Sequence, residues 1–309
     1  MRAVRTVDGA VQVVEVPEPD GDGVVVDVVA SGICGSDLHL LTWGVAGTLG
    51  HEFAGRLADG TPVAVQPSVP CGTCDLCRED RSELCRSLLE RMYGISLDGG
   101  LADRVVVDPG CIVPLPAGLE PETAALAEPL AVAVHAAHQG DVHAGQRVLV
   151  VGGGSIGLTS LAAAMAMGAG VDIAVRHDRQ RIAADMLGAG LTPDGEYDVV
   201  FDAAGSQSAI DLAVQHVRPG GTVVVVASYW EPVEVGLSLL MKEAHLIPAT
   251  TYGHHHGRRE FEEAVDLLAT MPALADAMVT HRFSLDDAPE AFRTAADRQG
   301  GAIKILLQP

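Results

Sequence analysis

Lysine is almost missing from this sequence. It occurs only at Lys242 and Lys304, so arginine carries nearly all the positive charge, a skew that either a GC-rich genome or adaptation to salt would produce. Positive charge of any kind is short, with 20 Lys and Arg against 41 Asp and Glu and a formal net charge of -21. Such a chain has no broad basic face to displace counterions from phosphates, which argues against nucleic acid as a partner. Long apolar runs are lacking too, none approaching the roughly 18 residues expected of a membrane span. The opening stretch MRAVRTVDGAVQVVEV alternates apolar and polar residues like a strand and lacks the apolar core of a signal peptide. The expectation is a soluble, cytoplasmic protein with no membrane partner. Internal repeats and low-complexity linkers are also absent.

The 309 residues, 48% of them hydrophobic, suffice for a substantial core and predict two domains. Two rhythms divide the chain. Up to about Pro116 it runs in short β-type segments such as GVVVDVVA and RVVVD, broken by Gly and Pro, the texture of a small barrel or sandwich. From about Arg147 it alternates strand and helix: RVLVVGGG, SIGLTSLAAAMAMGA, VDIAVR, QRIAADMLGA, then YDVVFDAAG and TVVVVAS. That alternation predicts an α/β fold with a doubly wound parallel sheet. The final fifty or so residues return to mixed segments ending in the strand-like AIKILLQP.

Gly152-Gly153-Gly154-Ser155-Ile156-Gly157 fits G-x-G-x-x-G between an apolar strand and an Ala-rich helix, where backbone N–H groups and the helix N-terminus can hold a pyrophosphate. Gly152, Gly154, Ser155, Ile156 and Gly157 are therefore candidate cofactor-binding residues. An acidic residue about 20 positions on would grip the ribose hydroxyls of NAD. Here the strand VDIAV instead ends in Arg176, 19 residues past Gly157, and the next residues are HDRQR. A guanidinium binds phosphate through paired, charge-assisted hydrogen bonds, so Arg176, with His177, Arg179 or Arg181 nearby, suits the 2′-phosphate of NADP. The cluster also reads as a solvated helix start, with Asp178 favourable at the helix N-terminus.

Six cysteines in a long intracellular chain favour metal or catalytic roles over disulfides. PCGTCDLCREDRSELC spaces Cys71, Cys74, Cys77 and Cys85 so that four thiolates close a tetrahedral shell around a structural zinc. Cys111 fits no cluster and reads as a semi-buried thiol. SGICGSDLH, LGHEFAG and AEPLAVAVHA supply Cys34, His51, Glu52 and Glu128, a thiolate, an imidazole and carboxylates that can hold zinc and leave a position open. Singly, these residues also read as a buried thiol, a satisfied core histidine and a helix-start carboxylate.

These segments, the cysteine lobe and the glycine loop together resemble the zinc-dependent medium-chain dehydrogenase/reductase family over nearly the whole chain. The resemblance implies a GroES-like catalytic domain over residues 1–130, a Rossmann domain over 131–253 and a return to the catalytic domain over 254–309. It implies that Cys34 and His51 bind the catalytic zinc. Glu128-Pro129-Leu130 is similar to the sorbitol and threonine dehydrogenase branch, in which a Glu is the third ligand, and Glu52 is a neighbour able to swing into the shell. Asp37 is implied as the partner orienting His51, Ser36 and His39 as the proton relay, and a homodimer or homotetramer as the assembly. The expected activity is hydride transfer between NADP(H), favoured over NAD(H), and a secondary alcohol or polyol or its ketone. The alternatives are an NAD-dependent threonine- or sugar-type dehydrogenase, and a redox sensor that binds NADP(H) and zinc without turnover.

Departures from the family pattern are also legible. The interval from Cys34 to His51 is short, so the loop carrying Trp43 over the pocket reads as truncated. After LGAG the chain reaches YDVVFD within a few residues, leaving little room for the usual third strand and its helix. That strand lies at a sheet edge, so its loss predicts an intact remaining sheet and a more open adenine end. The run His254-His255-His256 reads as a solvated loop, and Trp43, Tyr93 and Tyr252 read as pocket or packing residues.

Overall fold

The computed structural model describes every residue except Ala46 and Arg298. Valine-rich segments of period two build one sheet. At its centre Val24–Ile33 pairs antiparallel with Glu52–Arg56, Arg104–Val107 and Lys304–Gln308. The sheet continues outward through Pro62–Val65 to Ile112–Pro114 on one side and to Val279–Ser284 on the other. The last described strands of the chain therefore complete the sheet that the first hundred residues begin. Arg2–Val7 and Ala10–Glu15 form a separate hairpin.

A second sheet is parallel throughout, ordered His245–Pro248, Val217–Val225, Tyr197–Asp202, Arg147–Val151, Gly170–Ala174. This is the doubly wound 3-2-1-4-5-6 order with the position of strand 3 empty. The contraction expected after LGAG is real. At the vacated edge only an isolated bridge from Asp172 to Gly190 remains: Ile173 N–H donates to the Gly190 carbonyl at 2.8 Å, and Gly190 N–H to that of Val171 at 3.0 Å. A Cβ on Gly190 would stand 1.7 Å from Asp172 Oδ1, so this close approach requires glycine. Tyr197 Oη donates to Asp172 Oδ2 at 2.6 Å and Arg147 lies over the Tyr197 ring, closing the edge with side chains. Helices Ala127–Gln139 and Ser155–Ala166 present alanine and leucine to one continuous core with this sheet. No helix among the described residues is long and apolar enough to cross a membrane.

The reading of His254 to His256 as a solvated loop is corrected. His254–His255 pairs with Arg258–Arg259 in a short hairpin; His254 and His255 face opposite ways as strand neighbours, while His256, in the turn, meets the His255 ring edge-on at 4.1 Å. His254 Nδ1 meets Ser82 Oγ at 3.4 Å and Asp80 at 3.5 Å, on the cysteine lobe. His255 stacks on His138 with ring centroids 3.8 Å apart, and only His256 is fully exposed. Beneath the stack lies the buried Glu260, whose two oxygens take His135 Nδ1 and His138 Nδ1 at 2.8 Å each and Gly253 N–H at 2.8 Å. One nitrogen each of His138 and His255 and a Glu260 oxygen lie within 4.8 Å of one another. Stacked rings aim their lone pairs in parallel, however, and both nitrogens of His138 already face carboxylates, Nε2 meeting Glu263 at 3.5 Å. The group is an ion-paired strut joining helix Ala127–Gln139 to helix Glu260–Thr270 and the hairpin.

Burial works against the His138 imidazolium, but Glu260 and Glu263 outweigh it and push its pKa up to about 9. Burial likewise works against the Glu260 carboxylate, and the two histidines pull it down to about 2. A raised histidine contributes stability fully below its unfolded pKa of about 6.5 and loses it as pH rises through the folded value. In thermal melts, His138→Gln should therefore lower Tm clearly at pH 6 and much less above pH 9. An equal deficit at both would remove the ionic strut.

Candidate active site

The three glycines of the fingerprint meet three different demands. Gly152 turns at φ +109°, a left-handed conformation. A Cβ on Gly154 would meet nothing within 4 Å, leaving room for a phosphate to approach the backbone. On Gly157 it would stand 1.9 Å from the Gly152 carbonyl, so the helix can pack this tightly on the strand only with glycine. The residues present thus fit a dinucleotide pyrophosphate at the N-terminus of helix Ser155–Ala166. Ile156 lies in the first turn of that helix. Ser155 Oγ, a candidate phosphate donor, instead donates to the Ile303 carbonyl at 2.9 Å.

Arg176 follows the edge strand Gly170–Ala174, and His177 caps helix Asp178–Met186. Arg176, His177, Arg179 and Arg181 are all exposed. Arg176 Nη2 donates to Ser208 Oγ in the first turn of helix Gln207–His216, so its guanidinium reaches toward the helix that follows Tyr197–Asp202.

The metal-ligating residues come together because Val24–Ile33 runs into the helix Gly35–Trp43 while its neighbour begins at Glu52. Cys34 caps that helix, and its N–H donates to Asp37 Oδ2 at 2.9 Å. The other oxygen of the wholly buried Asp37 lies 3.2 Å from His51 Nδ1. That leaves Nε2 facing Ser36 Oγ at 3.4 Å. Burial works against a charged His51, but the charges of Asp37 and Cys34 raise its pKa well above the ordinary value. One ligand atom each from Cys34, His51 and Glu52 lies within 4.8 Å of the others, and thiolate, imidazole and carboxylate are a zinc-type donor set.

Glu128 stands outside that trio, at the start of helix Ala127–Gln139. Burial pushes its carboxyl up to about 7 against the pull of His51, with Glu52 adding to the rise and Lys304 opposing it. Tyr252, one of the suggested pocket residues, is buried beside it, and its hydroxyl has no hydrogen-bond partner among the described residues. Tyr93, by contrast, belongs to the core: its hydroxyl accepts from Asp108 N–H at 2.8 Å, and its ring packs edge-on against Phe53.

A residue that the sequence reading missed governs Glu52. Lys304 Nζ reaches both Glu52 oxygens, at 2.7 and 2.6 Å, and the Ile33 carbonyl at 3.2 Å, with both side chains 1% exposed. Burial alone would discharge this lysine, but Glu52 and Cys34 raise its pKa. Gly32 opposes Glu52 across the strands, and a Cβ there would come 2.2 Å from Glu52 Oε2, so the carboxylate lies flat on bare backbone. The available signal was one of only two lysines placed inside an apolar strand.

The cysteine lobe is assembled separately. The sulfur atoms of Cys71, Cys74, Cys77 and Cys85 all lie within 4.8 Å of one another, and none of the four is in a disulfide. Cys71 Sγ and Cys77 Sγ are 4.0 Å apart, close to the edge of about 3.8 Å that zinc–sulfur bonds of ~2.3 Å give a tetrahedron. Backbone N–H groups of Cys71, Cys74 and Cys77 point at the sulfurs of Cys85, Cys71 and Cys74 at 3.3, 3.3 and 3.5 Å. Such donors favour thiolate and bring Cys71 down to about 6, while burial pushes Cys77 up to about 12. The set fits a closed zinc site. Cys111, read as semi-buried, is fully buried against the Ser68 carbonyl.

A zinc-type donor set on one β sheet, tied through Lys304 and Ile303 to the glycine loop of a doubly wound sheet, defines a metal-dependent dinucleotide oxidoreductase. Residues 20–117 match the family model for an alcohol dehydrogenase GroES-like domain, and residues 155–270 that for a zinc-binding dehydrogenase. The L-galactonate-5-dehydrogenase of Escherichia coli (strain K12) is 31% identical, over 90% of this chain and 89% of its own. The sorbitol dehydrogenase of Bacillus subtilis (strain 168) is 29% identical, over 97% and 94%. Among solved structures, an NADP-bound protein of Sinorhizobium meliloti 1021, described as a zinc-binding dehydrogenase, superposes with TM-score 0.88 and 32% identity over 100% of this chain and 99% of that one. The chain belongs to the zinc-dependent medium-chain alcohol dehydrogenase family, sorbitol dehydrogenase-like, and is a zinc-type NAD(P)-dependent oxidoreductase.

Breaking a buried ion pair by removing one partner costs about 3–5 kcal/mol. Lys304→Met should accordingly lower the unfolding free energy by about that much in urea titrations. An unchanged midpoint would mean that Glu52 does not depend on Lys304.

Proposed function

We propose that this enzyme transfers hydride between NADP(H) and a secondary alcohol or polyol, or the corresponding ketone. The convergence of Cys34, His51 and Glu52 within reach of a common ion carries the reading. Support for a polyol-type substrate comes from relatives named for sorbitol, L-galactonate and L-idonate. Support for NADP comes from Arg176, which occupies the place of the expected acid, and from the NADP-bound neighbour. Bound zinc supplies a Lewis acid that eases loss of the alcohol proton, and the nicotinamide supplies the hydride acceptor or donor.

The chain's own residues do the rest. Cys34, His51 and Glu52 hold the catalytic zinc, with Glu128 as the carboxylate close behind them. Asp37 fixes the His51 ring through Nδ1 so that Nε2 faces the site. Lys304 holds Glu52 in place through both carboxylate oxygens. Ser36, whose Oγ stands 3.4 Å from His51 Nε2, takes the substrate proton. His39, one turn further along the helix, hands it to solvent. Cys71, Cys74, Cys77 and Cys85 hold a second, structural zinc. Arg176, bonded to Ser208, and His177 meet the 2′-phosphate beside the sheet edge that the missing strand vacates. The assembly is a homodimer or homotetramer, whose contacts would cover the exposed Leu237, Leu240 and Met241 beside the edge strand His245–Pro248.

Elemental analysis should find two zinc ions per chain, falling to one in Cys34→Ala together with loss of turnover. Retained turnover in that variant would refute the catalytic site. In a panel of polyols, amino alcohols and simple secondary alcohols assayed with both nicotinamide cofactors, Arg176→Asp should lower the NADP-to-NAD ratio of kcat/KM at least tenfold, given that a charge-assisted phosphate contact contributes about 1.5–3 kcal/mol. An unchanged ratio would remove Arg176 from cofactor choice.

A further inference from the structure

Both tryptophans of the chain lie in one cluster at the mouth of the cleft. His39 and Trp43 sit four residues apart, and so on one face of helix Gly35–Trp43, whose Leu38 and Leu41 pack into the core beside the first sheet. The His39 imidazole lies on the indole of Trp230, with centroids 3.8 Å apart and planes 11° from parallel. Trp43 meets the same indole edge-on at 5.7 Å. Trp230 belongs to the other half of the molecule, on the segment leaving strand Val217–Val225 at the carboxyl end of the parallel sheet.

That segment is pinned. The wholly buried Asp202 takes Tyr229 Oη on Oδ2 at 2.6 Å and the N–H groups of Ala204 and Gly205 on Oδ1 at 3.0 Å each. Its carbonyl accepts from Val226 and Ala227. Gly205, at φ +63°, leaves room for the Ser228 carbonyl, which a Cβ would approach to 2.6 Å. Trp230 is thus held by its neighbour to a fixed point of the second sheet, although its indole is 42% exposed. Neither sequence motifs nor the metal-site geometry gives this residue a task.

We propose that Trp230 is a positioning residue for His39: its indole, anchored through Tyr229 to Asp202, spans the cleft and holds the imidazole at the mouth of the site, where protons exchange with water. The catalytic part rests on the relay assigned to His39 above. A stacked indole hinders turning of the imidazole about its Cβ–Cγ bond, so the two ring nitrogens keep fixed bearings. Of the charged groups close in sequence, Asp37 is turned inward to His51, and Glu231 follows Trp230 directly.

The zinc-loaded, full-length protein supplies a test that does not depend on turnover. With Trp43→Phe, Trp230 is the only tryptophan emitter, and an imidazolium stacked on it quenches its fluorescence. Emission should fall as His39 takes up its proton, and this pH dependence should vanish in Trp43→Phe/His39→Asn. Identical emission profiles with and without His39 would overturn the stack. In steady-state assays, Trp230→Ala should lower kcat about threefold to tenfold, the range expected from one lost aromatic pair. KM should change less, the kcat–pH profile should shift, and Trp230→Phe, which keeps a stacking ring, should restore most of the loss. An unchanged kcat and pH profile in Trp230→Ala would overturn the positioning role. If His39→Asn alone leaves the kcat–pH profile unaltered, the relay assignment fails and takes the catalytic part with it, while the emission test judges the stack separately.

Discussion

A lysine and a glutamate that water does not reach hold this structure to its chemistry. Separately, Lys304 and Glu52 would each suffer a desolvation penalty of several kcal/mol. Together, at 2.6 to 2.7 Å, they tie the chain's last strand to the strand that begins at Glu52, across Val24–Ile33 between them. Gly32 leaves the carboxylate bare backbone to lie on, and His51, the residue before Glu52, stands 3.2 Å from Asp37 on the helix that Cys34 caps. The residue before the lysine extends the constraint, since the Ile303 carbonyl accepts from Ser155 in the glycine loop. One peptide unit therefore touches both the metal-ligating trio and the dinucleotide loop.

The two candidate zinc sites differ in access. Cys71, Cys74, Cys77 and Cys85 surround a point with sulfur on every side and backbone donors behind the sulfur, an arrangement that braces a loop poor in apolar residues. The trio of Cys34, His51 and Glu52 is lopsided, with Ser36 and the cleft on its remaining side. The lobe is also not free-standing: Ser82, Glu83 and Asp80 meet Thr251, Gly253 and His254, whose neighbour His255 stacks on the Glu260 strut. The cysteine lobe, the hairpin and the helix carrying Glu128 are in this way one braced unit.

Legibility in the sequence followed how local each device is. The glycine fingerprint, the cysteine lobe and the period of the strands depend on neighbours a few residues apart, and they stand in the structure as they read. The missing third strand was legible as a shortage of residues between Gly190 and Tyr197. His254 to His256 misled because their partners, Ser82 and His138, are more than a hundred residues away. The same distance hid Lys304 and Trp230, and Ser208, 32 residues from Arg176, is also beyond the reach of a local motif. A motif names a ligand or a loop, but the groups that orient it are chosen by the fold and leave only faint marks, such as one lysine in a run of aliphatic residues.

The split of one sheet between residues 24–114 and 279–308 also constrains biosynthesis. Lys304–Gln308 is an interior strand, lying between Val279–Ser284 and Val24–Ile33. During translation, the ribosome makes Glu52 and then the entire parallel-sheet half before the partner of that carboxylate exists. The nascent first half therefore waits with an open sheet edge and an uncompensated acid. Closure comes only when the late strand threads into its slot, so the metal centre is among the last parts of the molecule to take its final form.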